Sequence, residues 1–325
     1  MNICIYGAGA IGCWLAAHLH GAGYTPNLIA RGNHLNALKR QGLRVIEADE
    51  ERLIQVNAFG DQDTLAAQDL IIVTLKAHSI TPALDHLTSL LHENTTILFA
   101  VNGVPWWFFF GLDSARTEQP IHSVDPDGRI WNDIGPQRAV GCVLYPAAEL
   151  VAPGVVKHVS GNRISIGEPK ANMTDRTEKI SAILTKAGCR TSVRRDIRNE
   201  IWIKLWGNVA FNPLSVLTGA TLDRLATDPG TQFVATRLME ETQAIGEYYG
   251  ARFGMTIPKR IQGAASVGPH KTSMLQDYLQ GKPLETNAVL DGVLELASLA
   301  NVDAPTIRMM QAMLQMKLQT ERSKN

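Results

Sequence analysis

Gly7-Ala8-Gly9-Ala10-Ile11-Gly12 has the GxGxxG spacing of a loop that cradles a pyrophosphate. It directly follows the apolar run Asn-Ile-Cys-Ile-Tyr at 2–6 and opens the helical stretch Cys13 to His20, the context this spacing needs. The first glycine permits a tight turn, the second lets backbone approach the ligand, and the third lets helix pack close to strand. The helix N-terminus offers its N–H groups and partial positive charge to the phosphates. Nucleotide sites that take NAD carry an acid at the end of the second strand, for the ribose hydroxyls. Here no Asp or Glu occurs between Met1 and Val45, and that strand end carries Arg31. A guanidinium suits a ribose 2′-phosphate, which a carboxylate would repel, so the expected cofactor is NADPH/NADP+. The plainer reading of Arg31 is a solvated loop charge. Lys76 and Asn102 fall at the carboxyl ends of later strands, where ligands bind in open α/β sheets.

A second set of polar residues lies in Glu200-Ile201-Trp202-Ile203-Lys204-Leu205-Trp206-Gly207-Asn208-Val209-Ala210-Phe211-Asn212-Pro213. Read as a helix, the stretch places Lys204, Asn208 and Asn212 at i, i+4 and i+8, on one face. A lysine among so many apolar neighbours needs a partner or a task, because desolvation penalises an unpaired ammonium. The bland alternative is a lysine that snorkels out between tryptophans. Pro213 removes a backbone donor and is expected to bend or break the helix beside the asparagines. Downstream, Ser273 lies near a helix start, where a hydroxyl and backbone N–H groups can hold a carboxylate or simply cap the helix. Glu285 follows Pro283-Leu284, a position that could merely favour a helix N-terminus.

The elements that must position these residues follow from the apolar pattern. Buried strands are predicted at 2–6, 27–30, 69–75 and 95–101, alternating with helices at 13–20, 34–41 and after Pro82, with two short strands in 43–58 around Asp49-Glu50-Glu51. That alternation gives an α/β fold, a Rossmann-type doubly wound parallel sheet. Residues 104–136 read as irregular or loosely helical, 139–145 and 155–168 as extended, 175–187 as a helix and 190–193 as a short strand. Only helical patterns follow, at about 197–217, 231–249, 257–267, 270–280, 284–300 and 304–320. The chain is expected to divide into a nucleotide-binding domain, 1–194, and an all-helical C-terminal substrate and catalytic domain, 195–325. The polar tail 320–325 is expected to fray.

Lysine plus arginine and aspartate plus glutamate stand at 31 each, which argues against a nucleic-acid or anionic-membrane partner. No apolar run approaches the roughly 20 residues that span a bilayer. Met1 leads into a strand without a basic leader, and the four cysteines have no metal spacing, so a reducing, cytoplasmic setting is expected.

Taken together, several stretches resemble the ketopantoate reductase (2-dehydropantoate 2-reductase) family. They are the glycine loop, Arg31, Val73-Thr74-Leu75-Lys76-Ala77, Asn102-Gly103, Trp202-Ile203-Lys204-Leu205 with Asn208 and Asn212-Pro213-Leu214, and Ser273-Met274-Leu275-Gln276-Asp277 with Glu285. They run in the family's order over nearly the whole chain. The resemblance implies a Rossmann domain and a helical domain with the active site in the cleft, and a small-molecule 2-keto acid as substrate. It allows a homodimer. It implies that Lys204 is the general acid, that Asn208, Asn212 and Ser273 hold the substrate, and that Lys76, Asn102 and Glu285 contact NADPH, with Asn102 also near substrate. Hydride addition makes an alkoxide, which a nearby ammonium both stabilises and protonates. Two places depart from the pattern. The aromatic run Val104-Pro105-Trp106-Trp107-Phe108-Phe109-Phe110 either walls the pocket or is buried in a core or subunit contact, and Leu222 or a neighbour falls where some relatives place another substrate asparagine. They leave open a paralogue that reduces a different 2-keto acid. A non-catalytic NADP(H)-binding redox sensor is the alternative of another class.

Overall fold

The computed structural model describes residues 1–48, 50–112 and 118–322. Asp49 of the expected acidic turn, residues 113–117 of the aromatic-rich segment and residues 323–325 of the polar tail lie outside the described residues. The chain forms two compact units. Unit 1 comprises Met1–Val101, Trp106–Pro120 and Asp127–Ile197; unit 2 comprises Asn102–Pro105, Ile121–Pro126 and Arg198–Asn325.

The strands of unit 1 are β1 (Ile3–Tyr6), β2 (Asn27–Ile29), β3 (Leu43–Glu47), β4 (Glu50–Ile54), β5 (Asn57–Phe59), β6 (Leu70–Val73), β7 (Thr96–Phe99), β8 (Ala139–Leu144), β9 (Ala147–Ala152), β10 (Val155–Ser160), β11 (Arg163–Gly167) and β12 (Arg190–Val193). Its helices are α1 (Ala10–Gly21), α2 (Gly32–Gln41), α3 (Leu84–Ser89), α4 (Arg129–Ile134) and α5 (Asp175–Lys186). The main sheet runs β12-β11-β8-β7-β6-β1-β2-β5. The strands from β5 to β8 pair in parallel, and β11 turns antiparallel to β8. β1, β6 and β8 are buried along their whole length, which explains their continuous apolar sequences. The strand order reverses around β1: β2 and β5 lie to one side of it, β6 and β7 to the other. That is the switch point at which α/β sheets hold ligands.

A smaller sheet, β4-β3-β10-β9, packs against α1, with Trp14 stacked on His158 at 5.7 Å. The single extended segment expected at 155–168 is two strands, because Gly161 turns the chain with φ +75°. The aromatic run is core: Trp106, Trp107, Phe108 and Phe109 are buried in unit 1, and Trp106 meets Phe99 and Trp131 edge-on at 5.3 and 6.1 Å.

The described regular elements of unit 2 are helical: α6 (Ile197–Thr218), α7 (Leu222–Thr227), α8 (Pro229–Tyr248), α9 (Ile257–Ala265), α10 (Ser273–Leu279), α11 (Gly292–Ala300) and α12 (Pro305–Arg322). A π-helical turn, Asn287–Asp291, leads into α11. α6 runs through Pro213 unbroken to Thr218. Glu241 of α8 closes the start of α12 by accepting from the N–H groups of Thr306 and Ile307, both at 2.9 Å. Two short upstream segments complete the unit. Val104 N–H donates to Ala288 O at 2.8 Å, and Glu295 accepts from His122 N–H at 2.9 Å and Ser123 N–H at 2.7 Å. Among the described residues no helix is long and apolar enough to cross a membrane.

Candidate active site

Two glycines of the loop answer to separate physical needs. Gly7 has φ +116°, a conformation L side chains rarely adopt. A Cβ on Gly12 would stand 2.1 Å from Gly7 O and 2.8 Å from Thr74 Oγ1, so only glycine lets α1 sit this close to the loop. A Cβ on Gly9 would meet nothing within 4 Å, so that side of the loop is open. α1 starts with no side-chain cap and no acid in its first turn, whereas Thr174 caps α5 and Asp228 caps α8. The start of α1 is thus capped by no side chain and suits an external anion. The loop is held from three sides. Ala8 N–H donates to Ile29 O at 2.8 Å, and Thr74 Oγ1 donates to Gly7 O at 2.5 Å. His34 accepts from Gly154 N–H on Nδ1 at 2.9 Å, which puts its ring proton on Nε2, facing Ala8 O. Burial lowers the His34 pKa, so the neutral ring is favoured. These residues fit a dinucleotide pyrophosphate.

Arg31 is the N-terminal flanking residue of α2, half-exposed at the carboxyl end of β2. Its Nε donates to Asp61 Oδ2 at 2.9 Å. Arg31 also meets the hydroxyl of Tyr6, a phenol that burial pushes up to about 12. Lys76 is half-buried just past β6, at the start of a tight turn closed by Ser79 N–H to Lys76 O at 2.8 Å.

In unit 2, Lys204 and Asn208 are half-buried on α6 and Asn212 is buried. Trp202 and Trp206 lie about 160° around the helix from Lys204 on either side. Both are buried, Trp202 stacked against Tyr249 and Trp206 donating from Nε1 to Met239 O at 2.9 Å. Lys204 therefore does not emerge between tryptophans; it shares the opposite face with Asn208. A second cation stands beside that face, because a Cβ on Gly207 would lie 2.4 Å from an Arg260 terminal nitrogen.

A buried relay joins the Asn212 turn to the start of α10. Leu275 N–H donates to Thr272 Oγ1 at 3.2 Å, the Thr272 and Ser215 hydroxyls share a hydrogen bond of 2.6 Å, and Ser215 donates to Asn212 O at 2.6 Å. Thr272, not Ser273, therefore caps α10, and Ser273 is its exposed first residue. The relay brings Asn212 and Ser273 into one neighbourhood of unit 2.

Asn102 and Glu285 are also brought together: Asn102 Nδ2 donates to Glu285 Oε2 at 3.4 Å, and Glu285 is buried. Next to them Gly103, with φ +94°, lies on Ala288 so closely that a Cβ would stand 2.5 Å from the alanine methyl. The π-helical turn thus receives the chain that carries Asn102, as such turns often do beside functional residues.

Sequence reasoning missed Asp61, His34 and Arg260 and gave no role to Thr74 or Thr272. Thr74 lay within the quoted stretch Val73–Ala77, but its bond to Gly7 depends on the pairing of β1 with β6. Asp61 had one available signal, its place two residues past β5, which matches Arg31 two residues past β2.

Known proteins resemble the chain over nearly its whole length. The ketopantoate reductase PanE/ApbA family model matches residues 3–171, and its C-terminal counterpart matches residues 196–318. A 2-dehydropantoate 2-reductase from Mesorhizobium japonicum is 48% identical over 308 residues, covering 94% of each chain. A structure from Ralstonia solanacearum MolK2, provisionally named a ketopantoate reductase, superposes with a TM-score of 0.93 at 36% identity over 98% of each chain. The fold also matches a D-mandelate dehydrogenase solved with NADH and anilino(oxo)acetate, with a TM-score of 0.85 at 19% identity over 98% of this chain and 99% of that one. The chain belongs to the ketopantoate reductase family.

Proposed function

We propose that the protein reduces 2-dehydropantoate to pantoate with NADPH, a step of pantothenate and coenzyme A synthesis, in the cytoplasm. The observation that carries the reading is the Lys204–Asn208 face of α6, turned away from its tryptophans and joined through Asn212 to the start of α10. When bound, the reduced nicotinamide supplies a hydride to the keto carbon. Negative charge develops on the former carbonyl oxygen, and the Lys204 ammonium stabilises it and delivers the proton from Nζ. Asn208, Asn212 and Ser273 orient the hydroxyl and carboxylate ends of the substrate. Gly7, Ala8, Gly9, Ala10, Ile11 and Gly12 cradle the pyrophosphate, Arg31 takes the 2′-phosphate, and Lys76, Asn102 and Glu285 make the remaining nucleotide contacts. The chain's 1–194 portion mainly serves the nucleotide and its 195–325 portion mainly the substrate, with Asn102 also near the substrate and Glu285 also at the nucleotide.

The direct test follows NADPH oxidation with 2-dehydropantoate and a small panel of other 2-keto acids. Turnover with 2-dehydropantoate at the highest kcat/KM supports the reading. Turnover with other acids alone would assign the protein to a different substrate, and nucleotide binding without turnover would make it a sensor.

A further inference from the structure

The sequence lacks an acid at the end of β2, but the fold supplies one from the neighbouring strand. β5 pairs in parallel with β2, with Ile29 opposite Phe59. Arg31 and Asp61 each follow those paired residues by two positions, so the two side chains leave the same edge of the sheet next to each other. The result is the ion pair of 2.9 Å between Arg31 Nε and Asp61 Oδ2. Both residues remain partly open, with side-chain exposures of 53% and 34%. A nucleotide that reaches Arg31 therefore meets a carboxylate as well as a guanidinium.

The two groups favour different ligands. A 2′-phosphate gains from the guanidinium and is repelled by the carboxylate. A free ribose 2′-hydroxyl has a proton to donate, and a carboxylate accepts it as the acid at the end of a second strand does in NAD sites. Asp61 engages Nε, which is one of the several N–H donors a guanidinium carries. Phosphate binding is thus weakened by the acid without being blocked. Resting on the nucleotide reading above, we propose that Asp61 is a cofactor-specificity residue that opposes the 2′-phosphate and accepts the ribose 2′-hydroxyl, so that the protein binds NADH as well as NADPH.

The test measures Kd for NADPH and for NADH by nucleotide fluorescence in the full-length protein, its Asp61→Asn variant and, as a second replacement, Asp61→Ser, each checked by thermal melting. Wild type is expected to bind both nucleotides. In the variants NADPH should tighten by about threefold or more and NADH should weaken by about threefold to tenfold, so the ratio of the two Kd values moves by roughly tenfold or more. A ratio unchanged within about twofold in both variants would overturn the proposal. So would weaker NADPH with unaltered NADH, which would make Asp61 a strut that only orients Arg31. Binding of neither nucleotide by wild type would overturn this proposal together with the nucleotide reading, whereas NADPH binding with no measurable NADH binding would overturn this proposal alone.

Discussion

Replacing Gly12 by alanine sets two known effects against each other. Gly12 lies inside α1, where alanine is favoured over glycine by about 1 kcal/mol. The added Cβ, however, would stand 2.1 Å from Gly7 O and 2.8 Å from Thr74 Oγ1. Carbon contacts become favourable only near roughly 3.5 Å, so helix and loop must separate on the order of 1 Å. Overpacking of that kind costs about 1–3 kcal/mol. The separation also strains the Thr74–Gly7 hydrogen bond of 2.5 Å, worth about 1 kcal/mol net. Steric cost therefore exceeds helix propensity, and Gly12→Ala should destabilise the protein by about 1–3 kcal/mol. At about 2–4 °C of Tm per kcal/mol for a unit of this size, the melting temperature should fall by several degrees. The same movement displaces the pyrophosphate donors, so NADPH affinity should fall by about tenfold or more. Calorimetry and a fluorescence titration measure the two effects. A raised Tm with unchanged nucleotide affinity would refute the reasoning, since it would mean that propensity decides and the close contact does not.

Lys204→Ala should lower kcat by about 10²–10⁴ while NADPH affinity barely changes, as stopped-flow turnover and titration would show; an unchanged kcat removes Lys204 from the role of acid. Arg31→Ala should weaken NADPH far more than NADH, and equal losses would sink the 2′-phosphate assignment. His34 carries a pH signature: its folded pKa is lowered below 6.5, so the unfolded chain binds more protons and stability rises with pH across that window. The stability His34 confers should be fully present above pH 6.5 and decline as pH falls towards the lowered folded value, so the gap between wild type and His34→Gln in denaturant melts should shrink on acidification. A gap that is flat across the window would show that His34 does not titrate there.

Local patterns were legible and distant pairings were not. The glycine loop could be read because every residue it needs lies within six consecutive positions, and the polar face of α6 because helical spacing alone defines it. Asp61 is legible only once β5 is known to be β2's neighbour, and that order is set by the sheet, not by residues near Arg31. Ser273 was marked for the right helix start, but which of two adjacent hydroxyls caps it depends on Ser215, fifty-seven residues from Thr272. β9 escaped because Ala147–Ala152 is largely exposed on a small edge strand, without the alternation that marks a half-buried one. Pro213 was expected to bend or break α6; the helix is not broken there and continues to Thr218. The aromatic run gave its composition away but not its location, since a pocket wall and a core use the same side chains.

The segments Asn102–Pro105 and Ile121–Pro126 have a kinetic consequence. Asn102 meets Glu285 across 183 residues and Ser123 meets Glu295 across 172, so these contacts close loops more than half the chain long. Contacts of such separation slow folding. During synthesis both segments emerge long before their acceptors, which lie near α11. A fragment beginning at residue 198 would lack both segments, leaving Glu295 without its Ser123 and His122 donors and the π-helical turn without Val104. The helical unit therefore draws two of its contact segments from chain made long before the rest of it.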